Sequence, residues 1–218
     1  MTFTVTNLFP TSLFHTVISD ELIRDELNIL EKKLEGIDVF RPNQDGNLTT
    51  KEDFVLDAWK FNKIKQQIVD SVKLFADEVL CYEYDHLYVT QSWVNVNPPG
   101  SSHHSHMHQN SVLSGVLFLN TFEDCGDIQF YPPFNKQLSP KVTFKEDNDL
   151  TWGHYYFTPS NGDLIIFPSY FEHAVGKNLS TDKTRISLSF NTFFTPMGDK
   201  NDRTLVPNLN TNEILSSR

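Results

Sequence analysis

Past Tyr82 the chain breaks into short β-prone runs separated by turn residues. The runs cover 87–97, 111–120, 127–131, 154–159, 163–168, 172–176 and 184–195. Pro98-Pro99-Gly100 and Tyr131-Pro132-Pro133 mark loops, and Asn161-Gly162 is a hairpin signal ahead of the apolar run Leu164-Ile165-Ile166-Phe167. Strands this short and this numerous bury their apolar faces as a sandwich, a jelly roll or a barrel. Upstream the period changes. Ser19 and Asp20 can cap a helix carrying Ile23, Leu27, Leu30 and Leu34 on one face, ending at Gly36. After a polar loop (Pro42, Asn43, Asp45, Gly46, Asn47), a second helix lines up Ile64, Ile68, Val72, Phe75 and Val79. Helices first and strands after them argue for one β domain covered by helices, not for alternating βαβ units. The division expected is a helical cover over 1–82, a β core over 83–197 and a C-terminal tail over 198–218.

The 18 phenylalanines among 218 residues supply enough apolar surface for a real core and exclude disorder as the main state. The net charge of −10 argues against nucleic acid or an anionic membrane surface as a general partner. Two widely separated cysteines, Cys81 and Cys125, make no disulfide framework. The first basic residue is Arg24, so no secretory signal is expected, and no apolar run has the length of a membrane helix. The expected location is the cytoplasm.

One local anomaly remains. Four of the 8 histidines fall within Ser101-Ser102-His103-His104-Ser105-His106-Met107-His108. In an extended chain residues i and i+2 share a face, which would point His104, His106 and His108 the same way. Paired imidazoles of this kind begin a site for Fe, Zn, Cu or Ni. A further ligand must come from elsewhere. His15 lies near the N-terminus ahead of the first helix, and His86 and His154 read as surface residues, whereas His173 follows a buried strand and the Pro168 turn, which returns it towards the sheet.

The last strand alternates Ile186, Leu188 and Phe190 on one face with Arg185, Ser187, Ser189 and Asn191 on the other. The first set is ordinary core. The second can be a solvated face or the wall of a polar cavity. As a cavity wall, Arg185 would hold a carboxylate in its planar fork, with the Ser187 hydroxyl beside it.

These pieces together resemble the non-haem Fe(II)- and 2-oxoglutarate-dependent oxygenases, and more narrowly a bacterial and phage group related to prolyl-hydroxylase-type enzymes. The resemblance rests on Asn7-Leu8-Phe9-Pro10-Thr11, Trp93-Val94-Asn95-Val96-Asn97, His106-Met107-His108, Leu113-Ser114-Gly115-Val116, Gly162 to Ser169 with His173, and Arg185-Ile186-Ser187 with Phe190-Asn191. It implies a double-stranded β-helix, the jelly-roll or cupin-like fold. It implies His106 and His173 as iron ligands, and Arg185, assisted by Ser187, as the partner of the distal carboxylate of 2-oxoglutarate. The common triad has an acid two residues after the first histidine, where this chain has His108. The expectation is therefore a three-histidine site of His106, His108 and His173. His104 is a rival for the first pair, and Asp127 is a rival carboxylate that reads better as a turn residue. Asn95, Ser114 and Asn191 are candidate lining residues, and Trp93 reads as core. The implied partners are 2-oxoglutarate and O2, the products succinate and carbon dioxide, and the outcome hydroxylation of a small molecule or peptide.

Two other functions fit the residues. One is a three-histidine cupin-type dioxygenase that uses no 2-oxoglutarate. The other is a non-catalytic β-sandwich binding module. Arg185 separates the first from the oxygenase, since a cosubstrate carboxylate needs that side chain in the cavity and not in solvent.

Overall fold

The computed structural model describes residues 2–7, 9–133, 143–146, 148, 151 and 153–195. Among the described residues eight strands form the β core: β4 (His86–Asn97), β5 (His103–His106), β6 (Leu113–Asn120), β7 (Ile128–Phe130), β8 (Tyr155–Phe157), β9 (Asp163–Pro168), β10 (His173–Val175) and β11 (Arg185–Thr195). Three more precede them: β1 (Phe14–Val17), β2 (Phe40–Pro42) and β3 (Leu48–Thr50). They build two antiparallel sheets. The larger runs β1-β9-β6-β11-β4-β3-β2 and the smaller β5-β10-β7-β8. From β4 to β11 the chain passes back and forth between these sheets, as a double-stranded β-helix requires. Each run anticipated past Tyr82 contains a strand, with ends shifted by a few residues at most.

Asn161-Gly162 does not close a hairpin. It turns the chain out of β8 in the small sheet into β9 in the large one, and those strands are not neighbours. Gly162 has φ +83°, and the Gly162 carbonyl accepts from the Ile18 N–H at 2.8 Å. The local turn chemistry was legible, but the partner of each flanking strand was not.

The N-terminal region is more than a helical cover. Helix α1 (Asp20–Leu34) starts where expected, with Ser19 Oγ accepting from the Leu22 N–H. A short helix α2 (Val55–Ala58) precedes α3 (Asn62–Leu74). Yet β1 adds an edge strand beside β9, and β2 and β3 form a hairpin that extends the other side of the sheet. The polar segment from Asn43 to Asn47 is the turn of that hairpin. The anticipated tail, 198–218, lies outside the described residues.

Helices α1 and α3, with Phe75 just past the end of α3, pack Ile23, Leu30, Ile64, Ile68, Val72 and Phe75 against Val94, Leu117, Leu164, Leu188 and Phe190 of the large sheet. Val79 departs from the expected face and is exposed. The chain from Phe75 to Val79 winds as a π-helix, whose wider turn rotates Val79 away from the row set by Ile64 to Phe75. No side chain of its own caps α3. Instead Glu26 of α1, itself buried, accepts from the N–H groups of Lys63 at 2.7 Å and Ile64 at 2.8 Å. A carboxylate on a helix N-terminus satisfies both orphan donors and the local dipole.

A second apolar cluster joins residues of the two sheets: Val116, Phe118, Ile128, Phe130, Phe157, Ile165, Phe167 and Phe171. Within the large sheet, β11 and β9 crowd the Gly115 position of β6 from either side. A methyl built there would meet the Phe190 ring at 2.3 Å and the Ile165 carbonyl oxygen at 2.7 Å. A ring can shift, but the paired backbone of β9 cannot. Gly115→Ala is therefore expected to cost about 3 kcal/mol. In a domain of this size that lowers Tm by about 10 °C, which a thermal melt would read directly.

Candidate metal centre

Bordering the second apolar cluster, with Val116, Phe118 and Ile128 among its lining residues, lies a cleft of about 450 Å³, its open mouth included. Its walls include Trp93, Asn95 and Asn97 from β4, His103 and His106 from β5, His173 from β10, and Arg185, Ser187 and Ser189 from β11. His108, in the turn after β5, completes the histidine side.

One ligand atom each from His106, His108 and His173 can be chosen so that all three lie within 4.8 Å of one another. The ring centroids of His106 and His173 are 4.3 Å apart, and each lies 5.1 Å from that of His108. β5 and β10 are hydrogen-bonded neighbours with His106 opposite His173, so sheet pairing itself brings the two together. Two backbone contacts set their tautomers. His106 Nδ1 lies 2.9 Å from the His104 carbonyl oxygen, and His173 Nδ1 lies 2.9 Å from the Phe171 carbonyl oxygen. A carbonyl only accepts, so each Nδ1 carries the proton and each Nε2 keeps its lone pair. The His108 N–H donates to the Ser169 carbonyl at 3.0 Å, which anchors the turn.

Burial, followed by the neighbouring histidines, pushes His173 down to about 3 and His108 to about 4, and burial also lowers His106. The three rings are therefore neutral near pH 7. Three neutral imidazoles, two with lone pairs oriented by backbone carbonyls, suit a divalent first-row cation.

Opposite them stands Arg185, only 2 % exposed. Nη1 donates to the Gly126 carbonyl at 3.0 Å and reaches the Cys125 carbonyl at 3.5 Å. Nε is buried with no partner. Burial lowers Arg185 to about 10, which still leaves a cation at neutral pH. No carboxylate lines the cleft among the described residues. A buried guanidinium with an unfilled donor and no counter-ion suits a site that receives an anion. The Gly126 carbonyl reaches Arg185 because the turn comes very close to the Gly176 backbone. A Cβ at Gly126, where φ is +93°, would lie 2.3 Å from the Gly176 oxygen.

Other candidates fall in several places. Ser187 and Asn95 line the cleft, and Asn95 Nδ2 donates to Ser189 Oγ at 2.9 Å. Ser114 and Asn191 are not among the lining residues. Ser114 Oγ donates to Asn191 Oδ1 at 2.8 Å and lies 2.7 Å from Ser169 Oγ, while Asn191 Nδ2 donates to Gln91 Oε1 at 2.9 Å. Their polar groups are occupied in a chain that braces Ser169, whose carbonyl holds His108. Asp127 is outside the histidine group. Trp93 corrects the expectation of core packing: it stands in the cleft wall, 5.6 Å from His108.

His104 does not share the face of His106. It is exposed, and its N–H and Nδ1 both lie against Asp45 Oδ2, at 2.7 and 2.9 Å. The reason is a bulge. His106 pairs with His173 and His103 with Val175, so between these pairs β5 has two residues where β10 has one. Alternation therefore fails, and His103 turns into the cleft with its ring stacked 4.3 Å from that of His106. Sequence reasoning passed over His103, and period-2 counting cannot find it. Asn97 was also passed over, although the spacing Trp93, Asn95, Asn97 along β4 places it on the lining face.

Residues 91–191 match the family model described as "Putative 2OG-Fe(II) oxygenase". That stretch, a little under half of the chain, reads as a 2OG-Fe(II) oxygenase domain. The oxygenase is thus an enzyme whose cofactors are Fe(II) and 2-oxoglutarate. Solved structures share its fold at low identity. A Pseudomonas putida prolyl-4-hydroxylase is 15 % identical with a TM-score of 0.54, over 84 % of this chain and 92 % of that one. A Trichoplax adhaerens prolyl hydroxylase, in complex with a hypoxia inducible factor peptide fragment, is 14 % identical with a TM-score of 0.59, over 84 % and 83 %. HygX from Streptomyces hygroscopicus, with nickel, 2-oxoglutarate and hygromycin B bound, is 11 % identical with a TM-score of 0.56, over 85 % and 84 %. No curated protein matches the oxygenase. None of its helices among the described residues is long and apolar enough to cross a membrane.

Proposed function

We propose that this oxygenase binds Fe(II) through His106, His108 and His173 and 2-oxoglutarate through Arg185 and Ser187, and that it hydroxylates a small molecule or peptide. The observation that carries this reading is the pairing, across one cleft, of a neutral histidine cluster with a buried, anion-free arginine. Bound iron supplies the activation of O2 that couples decarboxylation of 2-oxoglutarate, giving succinate and carbon dioxide, to oxidation of the substrate.

The chain's own residues do the rest. Backbone carbonyls of His104 and Phe171 hold two imidazoles with Nε2 facing the metal position. Arg185 draws the distal carboxylate to the β11 side of the cleft, and the Ser187 hydroxyl offers it a further donor. Phe130 and Phe167, with ring centroids 5.9 and 4.9 Å from His173, form a dry backing that keeps water from that ligand. With Arg185 buried in the cleft wall, the three-histidine dioxygenase that uses no 2-oxoglutarate loses its discriminating feature. Substrate class stays broad, because similarly folded proteins hold a peptide in one case and hygromycin B in another.

An anaerobic titration tests the reading. Adding 2-oxoglutarate to the Fe(II)-loaded protein is expected to produce a weak visible metal-to-ligand absorption band that saturates at one equivalent. Absence of the band at saturating cosubstrate would count against the assignment.

A further inference from the structure

β11 and β4 face each other rung by rung across the cleft wall: Arg185 opposite Asn97, Ser187 opposite Asn95, and Ser189 opposite Trp93. Directly opposed side chains on one face of an antiparallel pair are within contact range. At the Arg185 rung, two buried donors lack partners: Arg185 Nε and Asn97 Nδ2. Asn97 is 1 % exposed and lines the cleft.

Its backbone is fixed as firmly as its rung. Asn178 Nδ2 donates to the Asn97 carbonyl at 2.9 Å and to the Lys183 carbonyl at 2.8 Å, which ties both strands to one loop. The neighbouring rung behaves differently. Asn95 Nδ2 is already engaged by Ser189, and the atom Asn95 leaves unpaired is the acceptor Oδ1. A 2-oxoglutarate dianion offers acceptors and no donors, so it can satisfy Asn97 Nδ2 but not Asn95 Oδ1.

We propose that Asn97 is a positioning residue for 2-oxoglutarate, its Nδ2 donating to the distal carboxylate beside Arg185. This rests on the reading of the cleft under Proposed function. A carboxylate accepts at up to about four lone-pair positions. Arg185 takes some of them with its fork, and the amide takes another from across the rung. The carboxylate is thereby gripped from both strands, which fixes its rotation as well as its position.

Two substitutions in the Fe(II)-loaded, oxygen-free protein test this, with 2-oxoglutarate affinity read by calorimetry and iron content by mass spectrometry. N97A removes the donor and is expected to weaken 2-oxoglutarate about tenfold with iron content unchanged. N97D keeps the shape of the side chain but puts a carboxylate beside Arg185. It is expected to weaken 2-oxoglutarate more than N97A does and, without cosubstrate, to melt no lower than the parent protein. A merely structural role predicts the reverse order, with the isosteric N97D the milder change. Parental affinity in N97A, or N97D binding at least as well as N97A, would overturn the assignment of Asn97. Failure of the parent protein to bind 2-oxoglutarate would instead overturn the reading of the cleft and this assignment with it.

Discussion

Replacing His173 with alanine is expected to abolish stoichiometric Fe(II) binding. His173 is the most buried of the three clustered histidines, at 3 % exposed, and it stands opposite His106 in the β5–β10 ladder. Changing only the outer hydrogen-bond partners of metal ligands weakens binding by about 10- to 100-fold, so loss of a ligand itself should exceed that range. Iron per chain after anaerobic desalting is the measurement, and a melt establishes that the variant folds. His104→Ala is the matched control. It removes an imidazole from the same tract, but one bonded to Asp45 and facing away from the cleft. It should retain one Fe(II) per chain. If His173→Ala keeps its iron, or His104→Ala loses it, the named triad is wrong.

Arg185→Met separates binding from folding. Methionine fills much the same volume without charge. Affinity for 2-oxoglutarate should fall by about 100-fold, the range expected when a buried charged donor is removed from a carboxylate. Iron content should not change. Stability should move the other way or not at all. In the protein without cosubstrate Arg185 is a buried cation with one unfilled donor, and replacing such a charge with an apolar side chain is often neutral or stabilising by about 1–4 kcal/mol. The hydrogen bonds to Gly126 and Cys125 offset part of that gain. The expected signature is a Tm at or above the parent's together with loss of the 2-oxoglutarate-induced rise in Tm. Equal cosubstrate affinity in the two proteins would move the anion site elsewhere.

How much of this was legible follows from the range of each signal. Strands with clear alternation or unbroken apolar runs, such as β9 and β11, declare themselves locally, and so does α1 with its Ser19 cap. β1, β2 and β3 are three or four residues long and lie among helices, so no period could build up in them. The outward turn of Val79 needed the π-helical winding to be known. At the site, Arg185, Ser187 and His173 were readable from alternation and from a turn. The exchange of His104 for His103 was not, because a bulge is defined by what the partner strand does opposite it. Trp93 and Asn97 share the face of Asn95, but the face to be lined becomes a cleft wall only once β11 is laid beside β4.

The bulge in β5 also governs which sequence changes this strand can survive. His104 and Ser105 are the two residues that face out of the cleft between His103 and His106. Exchanging either of them alters only a surface contact. Deleting one would remove the bulge and leave the two histidines two residues apart, a spacing that strict alternation also places on one face, opposite His173 and Val175. The strand should therefore be tolerant in spelling and also of shortening by one: across diverging descendants of this chain the letters at 104 and 105 can drift, or the pair can shrink to a single residue, with both flanking histidines still facing the cleft.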